Sequence, residues 1–354
     1  MINQITFTRF LAAFIIVFYH MGGNLFKNIS PSFEILRKNL DLGVSYFFVL
    51  SGFVMIIAYN NKKVDFKKFM INRLSRIYPT HLLALFLTLL VSLFVSINYI
   101  NHYTFDGKGF LLQAFLLQAW IPSYSLSWNV PSWSISVELF FYVMFPLLIN
   151  TIFRNKNKKV VISLIFTIWV IAQIVMNIYY FSPYYLGEES ISWYFLYFNP
   201  VPNFSSFLMG CLGGYIYTNQ NTMKIKNYDI HIIIICIVTI VFVLIGKQLL
   251  LHNGLLAINF LSIIFLLSLN NGYITKIFNH RVFIHLGEIS FALYILQNPV
   301  FIFLKKINNF VGIQNDYLFF IIGVITLLYF SHLTYTYFEK PLQIKIKKIT
   351  NKSL

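Results

Sequence analysis

Five residues have the types and spacing to do chemistry within an apolar chain: Arg9, His20, Arg73, Arg76 and Glu138. Arg9 and His20 bracket the run FLAAFIIVFY, in which nothing else is charged. They stand eleven residues apart, close to three helical turns, which puts both on one face about 16 Å apart along the axis. An imidazole exchanges protons near neutral pH. A guanidinium fork binds two oxygens of a phosphate or carboxylate at once. Arg73 and Arg76, in RLSRIYP, share a helix face. The pair suits phosphate recognition, and contact with lipid headgroups accounts equally well for the spacing. Glu138, in SWNVPSWSISVELFFYVMFP, is placed to orient an imidazole or take a proton. The plainer reading is a buried carboxyl bonded to Ser134 and Ser136.

The elements that position these residues are membrane spans. The chain of 354 residues is 58% hydrophobic and only 11% charged, with a mean hydropathy of +0.70, whereas soluble domains carry roughly a quarter charged residues. Apolar runs recur at 82–97, 160–178, 230–245, 255–269 and 317–333, each at or near the roughly 20 residues that cross a bilayer core. The pattern predicts an all-α polytopic membrane protein with about ten spans. They lie near 5–22, 42–60, 79–98, 134–153, 160–180, 193–217, 230–246, 253–270, 286–304 and 317–338. The second contains Gly43, Ser45, Ser51 and Gly52, so it is expected to be irregular or to lie partly buried in protein. Ser51 is an acceptor-site or structural hydroxyl on this reading. The stretch GFLLQAFLLQAW (109–120) reads as an amphipathic interfacial piece. Ionisable side chains at membrane depth are costly and mark function, which adds Glu288 and Glu339 to the residues that need explaining.

The net charge of +16 invites a nucleic-acid partner, but its distribution excludes that reading. Loops at 61–78, 154–159, 218–229 and 271–285, with the tail after 338, hold 19 of the 27 Lys and Arg residues. The alternate loops hold 7. This bias places both termini in the cytoplasm, as an even number of spans requires. A membrane domain over 1–340 is followed by a short basic tail, 341–354. Trp128 and Trp133 fit an interfacial aromatic belt or an apolar platform for a sugar ring. Cys211 and Cys236 have neither metal-ligand spacing nor a disulfide framework, so no metal centre is expected.

Four stretches resemble the acyltransferase-3 membrane proteins, which O-acylate cell-surface carbohydrates. They are RFLAAFIIVFYH, GVSYFFVLSGFVM (43–55), RLSRIYP (73–79) and SWSISVELFFYVMFP. Weaker echoes follow in family order: FLMGCLGG (207–214), ISFALYILQNPV (289–300) and YFEKPL (337–342). The resemblance implies a ten-span domain of the bacterial cytoplasmic (inner) membrane. It would take an acetyl group from cytoplasmic acetyl-CoA and pass it to a glycan hydroxyl at the outer face, with no tightly bound cofactor. It implies His20 as the essential histidine with Arg9 as its partner, Arg73 and Arg76 at the acyl donor, and Glu138 as the family's acidic residue. Gln297 departs from the histidine that many members carry in the corresponding stretch. A glutamine bonds but does not titrate, so the burden falls on His20 and Glu138.

The expected reaction has His20 as general base on the acceptor hydroxyl with Glu138 orienting it, or His20 carrying the acyl group itself. Expected partners are acyl-CoA, a carbohydrate acceptor and membrane lipid, with room for a separate glycan-assembly partner. O-antigen, capsule, exopolysaccharide, teichoic acid, peptidoglycan and small-molecule acceptors all stay open, as do donors other than acetyl. The rival readings are a glycan flippase or other transporter, which needs a continuous polar path and no acyl-CoA, and a membrane sensor or scaffold.

Overall fold

The computed structural model describes residues 2–23, 25, 30–59, 62–94, 106–154, 157–219, 224–246 and 248–353. Among these every regular element is helical. Seven helices are long and apolar enough to cross a membrane, the only backbone form besides a closed barrel that satisfies its own polar groups in lipid.

Seven of the expected spans are therefore full-length helices. The sites at 230–246 and 253–270 hold shorter apolar helices, Asp229–Ile245 and Ala257–Leu269. The site at 193–217 is broken. Asn199 is extended (φ −70°, ψ 143°) between helices Ile191–Phe198 and Pro200–Thr218, and its side chain accepts from Val201 N. A residue before proline is driven out of the helical region, and Pro200 then starts the next helix where no N–H is needed.

The site is lined from five helices: the first, third and fourth of the chain, with Trp133–Leu148 and Arg281–Val311. Helix α1 spans Asn3–Met21, α2 Pro31–Lys38, α3 Leu42–Tyr59 and α4 Phe66–Phe94. Of the two expectations for the second span, burial in protein holds and irregular backbone does not: α3 is continuous, with Val49, Gly52 and Phe53 among its buried residues. Its small residues instead admit a neighbour. A Cβ on Gly210, in helix Pro200–Thr218, would lie 1.9 Å from Val49 O, and one on Gly52 would lie 2.2 Å from Phe207 O. Gly210 and Gly214 are one turn apart, the small-xxx-small pattern that lets membrane helices touch backbone to backbone. Gly287 does the same for α1: a Cβ there would lie 2.1 Å from Thr6 O.

Helix α4 begins thirteen residues before the third expected span, so Arg73 and Arg76 lie within a helix rather than in a loop before one. Residues 95–98 of that span lie outside the described residues. Pro79 inside α4 removes the rung to the carbonyl of Ser75. The stretch 109–120 forms the short helix Gly107–Ala114 and a 3-10 turn, Gln118–Trp120. Gln113 and Gln118 are fully buried within it. Both bond to Ser132, which pins the loop to the start of helix Trp133–Leu148. The tail is not loose either: helix Asp316–Thr334 runs through a π-helical turn, Tyr335–Glu339, into helix Lys340–Ser353.

Candidate active site

One cavity of about 480 Å³ gathers four of the five residues singled out above: Arg9, Arg73, Arg76 and Glu138. Its lining follows α3 from Val44 to Ala58, about 21 Å of helix rise. On the topology expected from the loop charges, Ala58 and Arg73 stand at the cytoplasmic end and Val44 toward the outer face. Apolar walls come from Ile5, Phe47, Phe48, Val54 and Phe291. Such walls weaken screening and strengthen every charge inside.

The three guanidinium groups make no hydrogen bond and no ion pair within the described residues. Arg73 sits among aromatic faces, 5.6 Å from the Tyr59 ring centre, 5.3 Å from Phe69 and 5.8 Å from Tyr142. Cation–π contact offsets part of its desolvation. Its Nε is nevertheless buried without an acceptor. The strongest charges acting on Arg9 are those of Arg76, then Glu138 and Glu339. Like charges inside apolar walls repel more strongly than in water. A cluster of this kind is stabilised by an anion.

Glu138 lies midway along the cavity. Its Oε1 accepts from Tyr142 OH at 2.6 Å and from Ser51 Oγ at 3.2 Å. These hydroxyls take the place expected for Ser134 and Ser136. Ser134 bonds to Tyr294 OH instead, and Ser136 to Leu116 O. Oε2 receives no bond from the described residues, so it is available to a substrate proton. Ser51 stands nine residues below the start of α3, about 13 Å of rise. Glu138 is therefore much deeper than His20, which is one residue from the outer end of α1.

His20 does not line the cavity. It is exposed, with the Tyr19 ring 5.0 Å away. The carboxylate whose charge reaches it is Asp41, not Glu138. Asp41 Oδ2 lies 3.2 Å from His252 Nε2, and Asp41 Oδ1 is buried without a donor. The His252 ring packs on Tyr197 at 4.8 Å. Asp41 stands immediately before α3, and its carbonyl accepts from Val44 N at 2.8 Å. One turn of α3 thus separates this outer cluster from the end of the cavity. Arg37, the neighbouring outer cation, is bonded twice to Glu34, at 2.7 and 2.6 Å, and this bonding holds its pKa above the usual arginine value.

Trp128, Trp133 and Gln297 are outside the cavity lining. Trp128 Nε1 donates to Asp106 O at 3.2 Å, and its ring packs on Phe110. Trp133 packs between Phe48 and Phe198. Gln297 is fully buried and donates to Tyr294 O at 2.7 Å. Glu288 faces His285 at 3.7 Å on an exposed flank. Glu339 is buried and accepts from Thr80 Oγ1 at 3.3 Å. Sequence reasoning missed Tyr142, Asp41 and His252. Tyr142 sits one turn after Glu138 and was legible by spacing. Asp41 and His252 are 211 residues apart, and only folding joins them.

The sequence profile of the acyltransferase-3 family, an acyltransferase domain, matches residues 2–336. The O-acetyltransferase OatA of Staphylococcus aureus strains NCTC 8325 and COL is 23% identical over 332 residues, covering 86% of this chain and 53% of the relative. A third protein, from strain COL and provisionally named an O-acetyltransferase, is 24% identical over 330 residues, covering 85% of this chain and 52% of its own. The chain spans about half the length of the curated relatives it matches. No solved structure matches it. The match over nearly the whole chain, together with the membrane-crossing helices, places this protein in the acyltransferase-3 family of multi-pass membrane proteins.

Proposed function

We propose that the chain is an O-acetyltransferase of the bacterial cytoplasmic membrane, moving an acetyl group from cytoplasmic acetyl-CoA to a hydroxyl of a cell-surface or lipid-linked glycan. The observation that carries this reading is the set of three unpaired guanidinium groups at the inner part of a cavity that continues past a carboxylate toward the outer face. A donor with phosphates at one end and a long thin arm fits that order. Its phosphates meet Arg73 and Arg76, and its arm runs along the apolar wall beside Arg9 and Glu138. The names of the relatives support acetyl as the group transferred.

The acceptor approaches from outside, where His20 takes the proton of its hydroxyl. The hydroxyl oxygen attacks the thioester carbonyl, the C–S bond breaks, and the CoA thiolate leaves. Asp41, rather than Glu138, is the carboxylate whose charge acts at His20. A general base so placed contributes about 10²–10⁴ in rate. Deleting the gene and weighing the surface glycans tests the reading. Loss of O-acetyl groups with glycan chain length unchanged is the expected result. Loss of the glycan itself overturns it in favour of export, and unchanged glycans with unchanged acetylation overturn it outright.

A further inference from the structure

We propose that the helix Lys340–Ser353, beyond the part of the chain that the family profile matches, forms one wall of the donor site and that Lys347 binds a phosphate of the donor together with Arg73 and Arg76. The inference rests on the acyl-CoA reading above and adds a residue to it.

The register of two antiparallel helices carries the argument. Helix Lys340–Ser353 packs along α4. Glu339, at its start, is tied to Thr80 of α4, so these two residues stand at one level. From Thr80 toward the cytoplasm, Arg76 lies about 6 Å further in and Arg73 about 10 Å, at 1.5 Å per residue. From Glu339 in the same direction, Lys347 lies about 12 Å further in by the same rise. The lysine therefore reaches the level of Arg73.

Burial gives it the matching orientation. Leu342, Gln343, Ile346, Lys347 and Thr350 are half-buried, while Lys345 and Lys348 are exposed. The half-buried positions repeat at helical spacing and form the stripe against α4. Lys347 is on that stripe, although its helix offers a solvent face on which lysines already sit. The charges of Arg76 and Arg73 both act on it. Glu339, the carboxylate at this junction, bonds to Thr80, and Arg73 Nε is a buried donor without an acceptor. Three cations held together against their own repulsion, with an unused donor among them, match a phosphate or pyrophosphate group. Within the donor proposed above, that chemistry belongs to the nucleotide end of CoA. An anionic lipid headgroup offers the same chemistry, and the test separates the two.

The experiment measures equilibrium binding to the purified full chain in an uncharged detergent, with CoA, dephospho-CoA and pantetheine as probes. Lys347→Gln is expected to weaken CoA binding by about tenfold, the usual order for losing one charge-assisted hydrogen bond. Pantetheine, which has no phosphate, is expected to bind both forms alike. Lys347→Arg is expected to restore CoA binding, and Lys348→Gln, on the exposed face, to leave it unchanged. Equal CoA affinity of wild type and Lys347→Gln overturns the inference while leaving the donor reading intact. Absence of CoA binding by the wild type overturns the donor reading itself. Loss of spin-labelled phosphatidylglycerol contact in Lys347→Gln with CoA affinity unchanged assigns the lysine to lipid and also overturns the inference.

Discussion

The inner and outer halves of this molecule handle charge in opposite ways. At the outer face, Arg37 is closed off by a two-pronged bond to Glu34, and Asp41 is matched with His252. Within the cavity, Arg9, Arg73 and Arg76 stand without ion pairs among the described residues, and the carboxylate in its lining, Glu138, is bonded to hydroxyls instead. Charges paired within the protein hold a shape, and charges left unpaired hold a ligand. The outer half holds the His252 imidazole against Asp41. The cations of the inner half suit the anionic end of the donor proposed above. The α3 helix joins them, with Asp41 at its outer end and the cavity along its length.

The sharpest way to break this division is a crossed measurement. His20→Ala is expected to cut acetyl transfer to glycan by at least about 10²-fold, the contribution of a general base, with CoA affinity unchanged. Arg73→Ala is expected to do the reverse, weakening CoA binding by about 10–100-fold, the value of charge-assisted bonds to one guanidinium. If each variant impairs both readouts equally, the two halves do not divide the labour. Asp41→Asn comes next in size. It leaves His252 and His20 without their carboxylate and is expected to lower turnover about tenfold with the donor KM unchanged, within the range for a hydrogen bond to a charged group. A raised donor KM instead would place Asp41 with the cavity. The smallest effect is expected from Tyr142→Phe, which removes one bond to Glu138. A loss of about fivefold in turnover is expected, the worth of about 1 kcal/mol, and no loss at all would make that hydroxyl merely structural.

Much of the architecture was readable from hydropathy. Spans such as 160–180 and 317–338 were found because a bilayer imposes a length and an apolar composition on any helix that crosses it. The break at Asn199 was not read, and the sequence left open whether α3 is irregular or buried in protein. Pro200 was a local signal for the break. The small residues in α3, however, serve as a packing surface for Gly210 rather than as a site of irregular backbone, and a partner helix decides which of these a glycine does.

The candidate site divides in the same way. By residue type and local spacing the sequence singled out Arg9, Arg73, Arg76 and Glu138, and the fold brings these four to one cavity. Spacing also placed Arg9 and His20 on one face, and Glu138 was expected to orient His20, whereas the fold sets Glu138 on Ser51 and Tyr142 in a cavity that His20 does not line. Helical periodicity fixes which side chains on one helix share a face, but not which helix stands opposite. Only tertiary packing set Ser51 and Tyr142 on Glu138, brought Asp41 to His252 across 211 residues, and laid Lys347 beside α4. The sequence by itself determined which residues carry charge at membrane depth, because lipid makes such residues costly wherever they occur. Their pairing was decided by close contacts between helices that no local pattern encodes.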